Sequence, residues 1–273
     1  MHSSDYVTHR GAITTVAIAT LLAWTTGSGA LGAGIASDPQ PHAADLQSQQ
    51  TITEAADASA QYELGARYAR GRDVPLNYAA AVTWFHKAAE QGHVEAAYNL
   101  GVMYADGRGV RQDLVEAVNW FRKAADRGHA GAETSLGIIY ATGKGAPRDD
   151  AEALSWFRKA AAQRDPAAAY NLGVMYAEGR GVQRDLAGAA RFYREAADRG
   201  NASAQSNLGA MYCEGQGVPQ DYVLAYMWLS LAAAAGNRIA IRNLDIVAGH
   251  MSPEQIDESE RLAREWQLNR KSE

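Results

Sequence analysis

The sequence is poor in two residue types that restrict folds, cysteine and proline. Its 273 residues include one cysteine, Cys213, so an intrachain disulfide framework and a multi-cysteine metal site are both excluded. Only seven prolines occur, and alanine is abundant. Proline interrupts helices and alanine has the highest helix propensity, so the composition predicts a mainly helical protein.

The chain also has no strong excess of charge of either sign. Its formal net charge is −5, with 21% charged and 47% apolar residues. Proteins that bind nucleic acid or anionic lipid through bulk electrostatics are usually basic, so neither partner is predicted. The apolar content is that of a globular protein with a sizeable core.

The N-terminal segment is free of charged residues from Gly11 to Ser37. Arg10 precedes an apolar run over residues 11–24, and small residues suited to cleavage follow it. This pattern predicts a secretory signal peptide over residues 1–36, and therefore a periplasmic or secreted protein. The alternative is an uncleaved anchor, since the stretch is long enough to cross a bilayer, and only then is membrane association expected. Residues 37–56 are interpreted as a linker.

An internal repeat dominates the rest of the sequence. AAYNLGVMYA occurs at residues 96–105 and again at 168–177, and weaker copies occur at 62–69, 134–141 and 206–213. The copies define five repeats with a 36-residue period and no insertion, which we place within residues 57–239. Residues 240–273 are interpreted as a half repeat and a C-terminal cap. A period of this length is typical of solenoids built from helical hairpins.

Each repeat is predicted to form two amphipathic helices. In the second repeat, apolar residues recur at i, i+3, i+4 and i+7, the spacing of one face of a helix: Ala97, Leu100, Gly101 and Tyr104. Gly107 is expected to end this helix in a left-handed conformation. Asp113, with Glu116 three residues later, is expected to begin the second helix. That helix has its own apolar face: Ala117, Trp120, Phe121, Ala124 and Ala125.

A glycine recurs inside the first helix of every repeat, at positions 65, 101, 137, 173 and 209. Glycine in a helix interior costs about 1 kcal/mol relative to alanine, so its recurrence predicts a contact where no side chain fits. We expect the partner to be the aromatic ring of the second helix at Trp84, Trp120, Trp156, Phe192 and Trp228.

The repeat resembles the Sel-like repeat (SLR) family, a relative of the tetratricopeptide solenoids. The resemblance rests on Leu-Gly, Tyr, G-x-G-V, Asp, Trp, Lys-Ala-Ala and a closing Gly, all present within residues 96–128. Asp73, Arg164 and Phe192 depart from the pattern. The predicted fold is all-α, a right-handed α/α solenoid of five 36-residue helical hairpins with a C-terminal capping helix. The family resemblance implies a scaffold or adaptor that binds other proteins.

In related solenoids the other face of the first helix lines a concave groove, and candidate binding residues recur there. The side-chain amide of asparagine both donates and accepts hydrogen bonds, so a row of asparagines can hold a peptide. We hypothesise a groove for an extended peptide or a partner helix. The alternative is that these residues simply tolerate exposure. The candidates are Asn99, Val102, Asp106, Asn171, Val174, Glu178, Asn207 and Glu214.

Other recurrent residues have structural interpretations. The G-x-G loops lack the flanking residues of phosphate-binding loops and are interpreted as turns. His93 and His129 share one repeat position with Asn201 and Asn237, just before a helix, which favours helix capping over metal binding. Cys213 takes the place of an alanine and is expected to be packed. A basic row on the loops is interpreted as solvated charges or as a track for an acidic partner: Arg72, Arg108, Lys144 and Arg180.

The sequence contains no recognisable catalytic motif. A cysteine-rich branch of the SLR family is associated with penicillin binding and β-lactam hydrolysis, but this chain lacks its cysteines and has neither S-x-x-K nor G-x-S-x-G. We therefore predict no catalytic residue, cofactor or metal. The favoured function is a non-catalytic protein–protein interaction scaffold or adaptor in the cell envelope, and the alternative is a β-lactam or cell-wall-directed hydrolase.

Overall fold

The computed structural model describes residues 57–271, which contain twelve α-helices and no strand. The predicted signal peptide, the predicted linker and the last two residues lie outside this range. The contacts divide the described residues into two compact units. We call residues 57–148 the first unit and residues 149–271 the second unit. The helices are α1 Ala58–Arg70, α2 Tyr78–Glu90, α3 Val94–Asp106, α4 Leu114–Ala125, α5 Ala130–Thr142, α6 Asp150–Ala162, α7 Pro166–Glu178, α8 Leu186–Asp198, α9 Ala202–Glu214, α10 Tyr222–Ala234, α11 Arg238–Ala248 and α12 Pro253–Lys271.

Within each unit, consecutive helices form hairpins that pack on one another. The first unit contains the hairpins α1/α2 and α3/α4, followed by α5. The second unit contains α6, the hairpins α7/α8 and α9/α10, and then α11 and α12. The predicted all-α solenoid with a C-terminal helix is confirmed. Between residues 57 and 271, no helix combines the length and the apolar character needed to cross a membrane.

The hairpin boundaries follow the local signals in the sequence. Gly107 ends α3 with φ 70° and donates its amide to the carbonyl of Met103, as expected of a left-handed C-cap. The carboxylate of Asp113 accepts hydrogen bonds from the amides of Val115 and Glu116 at the start of α4. Its own amide donates to the carbonyl of Tyr104 at 3.0 Å. This bond ties the start of the second helix to the end of the first.

The second glycine of each loop lies against the preceding hairpin. Gly217 has φ 69°, and a Cβ added there would stand 2.3 Å from the carbonyl oxygen of Leu186 in α8. No side chain fits at that distance, so the glycine permits the close approach of one hairpin to the next. Asp73 occupies this loop position in the first repeat, with φ 62°. No described helix precedes α1, so no such backbone approach excludes its side chain there.

The glycine inside the first helix also makes the predicted close contact, but with a different residue. A Cβ on Gly101 would lie 2.6 Å from the ring of Phe121, and one on Gly173 would lie 2.5 Å from the ring of Tyr193. The predicted partner, Trp120, was wrong by one residue. Successive helical residues point about 100° apart. The ring of Trp120 therefore turns to the preceding hairpin, where it lies 5.1 Å from that of His86.

The C-terminal helix begins with a capping box. The amide of Ser252 donates to Oε1 of Gln255 at 2.9 Å, and the amide of Gln255 donates to Oγ of Ser252 at 3.4 Å. Ala263 is buried, and Trp266 packs edge-on against Trp228 of α10 with ring centroids 6.0 Å apart. The helix thus covers α10 with its apolar face, as a solenoid cap is expected to do.

Alanine substitution of two loop glycines tests the close approach between hairpins. Gly236 has φ 83° and nothing within 4 Å of an added Cβ, so Gly236→Ala carries backbone strain alone. We expect it to lower the free energy of unfolding by about 1–2 kcal/mol. Gly217→Ala adds a clash with a backbone carbonyl and is expected to lose about 1–3 kcal/mol more. Denaturant unfolding measures both variants, and equal losses would contradict the proposed contact.

Candidate functional site

The predicted binding residues lie on three helices, each of which is the first helix of its repeat. Asn99, Val102 and Asp106 are on α3 in the first unit. The others are on α7 and α9 in the second unit: Asn171, Val174, Glu178, Asn207 and Glu214. Because the residues belong to different units, the two groups are described separately.

Four of these residues are not open to solvent, which corrects the expectation of an exposed row. Asn99 is 7% exposed, Val102 1%, Asn171 4% and Val174 5%. Neighbouring helices cover α3 and α7 on more than one side, so that nearly every position from Ala96 to Met103 is buried. The pattern of one helix alone does not reveal this second covering.

The buried asparagines make hydrogen bonds inside the protein. Asn99 bonds to the hydroxyl of Tyr62 in the preceding hairpin. Nδ2 of Asn171 donates to the carbonyl of Ala167 at 2.9 Å, one turn earlier in the same helix. The Asn99 bond therefore links two hairpins, whereas the Asn171 bond is local to α7 and leaves the buried Oδ1 without a hydrogen-bond partner among the described residues.

The acidic residue at the end of the first helix pairs with the loop arginine in two repeats. Oδ2 of Asp106 lies 3.4 Å from Nε of Arg108, and the carboxylate is largely buried. Oε2 of Glu178 lies 3.9 Å from Nη1 of Arg180, whose Nη2 is 2.6 Å from Oδ1 of Asp150. These two arginines of the basic row therefore neutralise acids of the same chain, which argues against a free cationic track.

Glu214 has the same repeat position but a different neighbour. The loop residue that is Arg108 or Arg180 in the other repeats is Gln216, whose amide donates a hydrogen bond to Oε2 of Glu214. Burial raises the pKa of the Glu214 carboxyl above its ordinary value, with no opposing effect from a cation. Among the described residues, Glu214 has no ion-pair partner.

A pocket of about 100 Å³ opens beside Glu214 in the second unit. Part of its wall is apolar, from Leu186 on α8 and Met211 on α9. Asn207 also lines it and bonds to the hydroxyl of Tyr193, whose pKa burial raises. The remaining lining residues are Ala177, Ala210 and Gln216. The pocket brings together Asn207 and Glu214 from the predicted set, and it combines one unpaired carboxylate with aliphatic walls.

Two buried residues of the second unit, Tyr193 and Asn243, are not predicted as candidates from the sequence. Tyr193 replaces the phenylalanine of earlier repeats, and that substitution was a visible signal of a polar group. Asn243 on α11 lies 36 residues after Asn207 and is buried. It continues the row of Asn-Leu pairs, but Asp245 in place of the usual glycine obscured the repeat.

The two repeated histidines are helix caps, as predicted. Nδ1 of His93 accepts the amide of Ala96 at 3.2 Å, and Nδ1 of His129 accepts that of Ala132 at 3.1 Å. Their rings stack on Tyr62 and Tyr98, with centroids 4.4 and 4.3 Å apart respectively. In the described part of the chain, no group of three or more His, Cys, Asp or Glu residues is arranged to hold a metal ion.

The lone cysteine is packed, as predicted. Cys213 is buried at the end of α9 in a cluster that includes Ala225 and Leu229 of α10. A buried thiol in apolar surroundings acts as a small hydrophobic side chain.

Comparison with known families identifies the repeat. The model of the Sel1 repeat matches five consecutive segments, residues 58–93, 94–129, 130–165, 166–201 and 202–237. The chain belongs to the Sel1 repeat family. Sel1 repeat proteins are generally protein-interaction scaffolds. Each matched segment begins at the first residue of the first helix of a repeat.

Solved structures of Sel1 repeat proteins resemble this one. A protective antigen of uropathogenic Escherichia coli with an SLR fold is 38% identical, with a TM-score of 0.72 over 81% of this chain and 48% of its own. The chain thus spans about half the length of that protein. A Sel1 repeat protein from Oxalobacter formigenes is 34% identical, with a TM-score of 0.69 over 81% of this chain and 90% of its own. No protein with a curated description matches significantly.

The His93 cap makes the stability of the Sel1 repeats depend on pH. Burial lowers the pKa of His93 below its ordinary value, and a protonated ring could not accept the amide of Ala96. As the pH falls below about 6.5, the unfolded chain takes up the proton first, so stability decreases.

Replacing His93 by asparagine tests this pH dependence. Asn201 and Asn237 make the same cap without titrating, so His93→Asn should keep the cap and reduce the loss of stability between pH 7 and pH 5. The difference is expected to be at most about 1 kcal/mol, the value of an N-cap. Thermal unfolding at both pH values measures it, and parallel pH profiles would contradict the assignment.

Proposed function

We propose that this Sel1 repeat protein is a non-catalytic scaffold of the cell envelope that binds a segment of another protein at the Glu214 pocket. The observation that carries the proposal is the pocket itself, because it combines apolar walls with an amide and an unpaired carboxylate. A site of this composition suits a peptide side chain, since apolar burial supplies affinity and a few polar groups fix orientation. The general role of the family in protein interactions supports the same conclusion.

The proposed site is narrower than the groove expected from the sequence. Asn99 and Asn171 are committed to internal hydrogen bonds, while Asn207 and Glu214 are only partly buried and line the pocket. We therefore assign partner contact to α9 and its following loop. Asn171 and Val174 are buried in α7, which ends just after Ala177 of the pocket wall.

A capture experiment with matched variants tests the proposed function. The full chain serves as bait for the envelope fraction of the source cells, beside an Asn207→Ala/Glu214→Ala double variant. We expect a partner that the native chain captures and the double variant loses by tenfold or more. Glu116→Ala/Asn119→Ala removes the same two residue types from an exposed hydrogen-bonded pair on α4 and should capture normally. Equal capture by all three baits would place the binding surface elsewhere.

We also propose that the N-terminal segment directs the protein to the periplasm or out of the cell. The uncharged apolar stretch after Arg10 supports export, and the small residues after it support cleavage. Mass spectrometry of the protein from fractionated cells measures its N-terminus and location. Envelope protein that begins near residue 37 is expected. Uncleaved protein in the membrane fraction would favour the anchor, and uncleaved protein in the cytoplasm would contradict export.

A further inference from the structure

The fifth repeat keeps the acid at the end of its first helix but has lost the cation that accompanies it elsewhere. Asp106 and Glu178 are each followed two residues later by an arginine within ion-pair distance, at 3.4 and 3.9 Å. Glu214 stands 36 residues after Glu178, and its loop residue is the neutral Gln216. The chain therefore leaves one carboxylate of this series without a positive charge.

The environment of Glu214 makes a missing cation consequential. A partly buried carboxylate is destabilised unless a charge or several hydrogen bonds compensate for the lost water. Gln216 supplies one hydrogen bond, to Oε2. The other carboxylate oxygen has no hydrogen-bond donor among the described residues, so a bound cation could contact it.

The pocket wall next to this carboxylate is aliphatic. Leu186, Ala210 and Met211 line it together with Ala177. A lysine side chain has the matching structure, because its methylene stem packs on apolar surface while its ammonium group keeps a polar contact. An arginine fork binds best to two free carboxylate oxygens, and one oxygen of Glu214 is already occupied by Gln216.

We propose that this pocket binds a lysine side chain of the partner protein, with the ammonium group on Glu214 and the stem against Met211 and Leu186. The proposal rests on the proposed binding function and names the chemistry that the site recognises. Asn207, on the same wall, is placed to bond the backbone of the bound segment. Gln216 determines this specificity, because an arginine at its position would neutralise Glu214 from within the chain.

Short peptides test the inference without the natural partner. The probes are acetylated, amidated pentapeptides of four alanines with a central lysine, arginine or norleucine. The full chain carries ¹³C-labelled methionine methyl groups, and the Met211 signal, assigned with Met211→Leu, reports binding. We expect the lysine peptide to bind about tenfold more tightly than the norleucine peptide, the ratio for one charge-assisted contact, and more tightly than the arginine peptide.

Three variants assign the effect to the unpaired charge. Glu214→Gln should reduce lysine-peptide affinity about tenfold, to the level of the norleucine peptide. Gln216→Arg should do the same by neutralising Glu214, while the apolar wall of Leu186, Ala210 and Met211 is retained. Glu178→Gln removes a carboxylate that already has its arginine and should leave the affinity unchanged. Unchanged dispersion of the methionine methyl signals shows that each variant is folded, and Gln216→Arg provides the decisive comparison if Glu214→Gln is not.

Three results would overturn the inference. Equal affinity for the lysine and norleucine peptides would mean that the pocket selects apolar side chains. Stronger binding of the arginine peptide would reject lysine as the occupant. Unchanged lysine binding by Glu214→Gln would place the charge contact elsewhere. Because the probes are independent of the envelope partner, failure here with normal partner capture rejects only the lysine assignment.

Discussion

The contact between a glycine on the first helix and an aromatic ring on the second sets the distance between the two helices of a hairpin wherever the second helix carries such a ring. Added Cβ atoms on Gly101 and Gly173 would lie 2.6 and 2.5 Å from the rings of Phe121 and Tyr193, so the two helices approach as closely as a bare backbone allows. The cost of glycine in a helix, about 1 kcal/mol, is offset by burial of a whole aromatic ring. The second loop glycine then sets the approach of the next hairpin, through contacts such as that of Gly217 with Leu186.

This packing determines where a binding site can form. Neighbouring helices cover α3 and α7 on more than one side. Most residues of these two helices, including Asn99 and Asn171, are therefore buried in the core. Positions that can contact a partner lie at the helix ends and loops. Tyr193 belongs to both regions, because its ring fills the space beside Gly173 and its hydroxyl bonds to Asn207 in the pocket. The core therefore holds one polar wall of the proposed site.

Local features of the fold could be predicted from the sequence, and features that depend on several neighbours could not. The caps at Gly107, Asp113 and Ser252 follow from nearby residues. The ring beside Gly101 was assigned to Trp120 instead of Phe121, because both are aromatic and only the rotation of α4 separates them. The burial of Asn99 depends on a second neighbouring helix. The pocket depends on Glu214 and Gln216 together, and a neutral residue at position 216 does not by itself indicate this contact.

The central claim is that the fifth repeat contains a carboxylate without its cation, and the pKa of Glu214 tests it most directly. Carbon-detected NMR titration of the glutamate side chains in the full chain measures this pKa without any ligand. The account predicts a value above that of an ordinary glutamate, because burial is not compensated by a positive charge. It also predicts that Gln216→Arg lowers the value. Burial raises the pKa of Asp106 even beside Arg108, so the decrease in Gln216→Arg is the result that identifies the missing cation. An ordinary or lowered pKa in the native chain, or an unchanged pKa in Gln216→Arg, would contradict the claim.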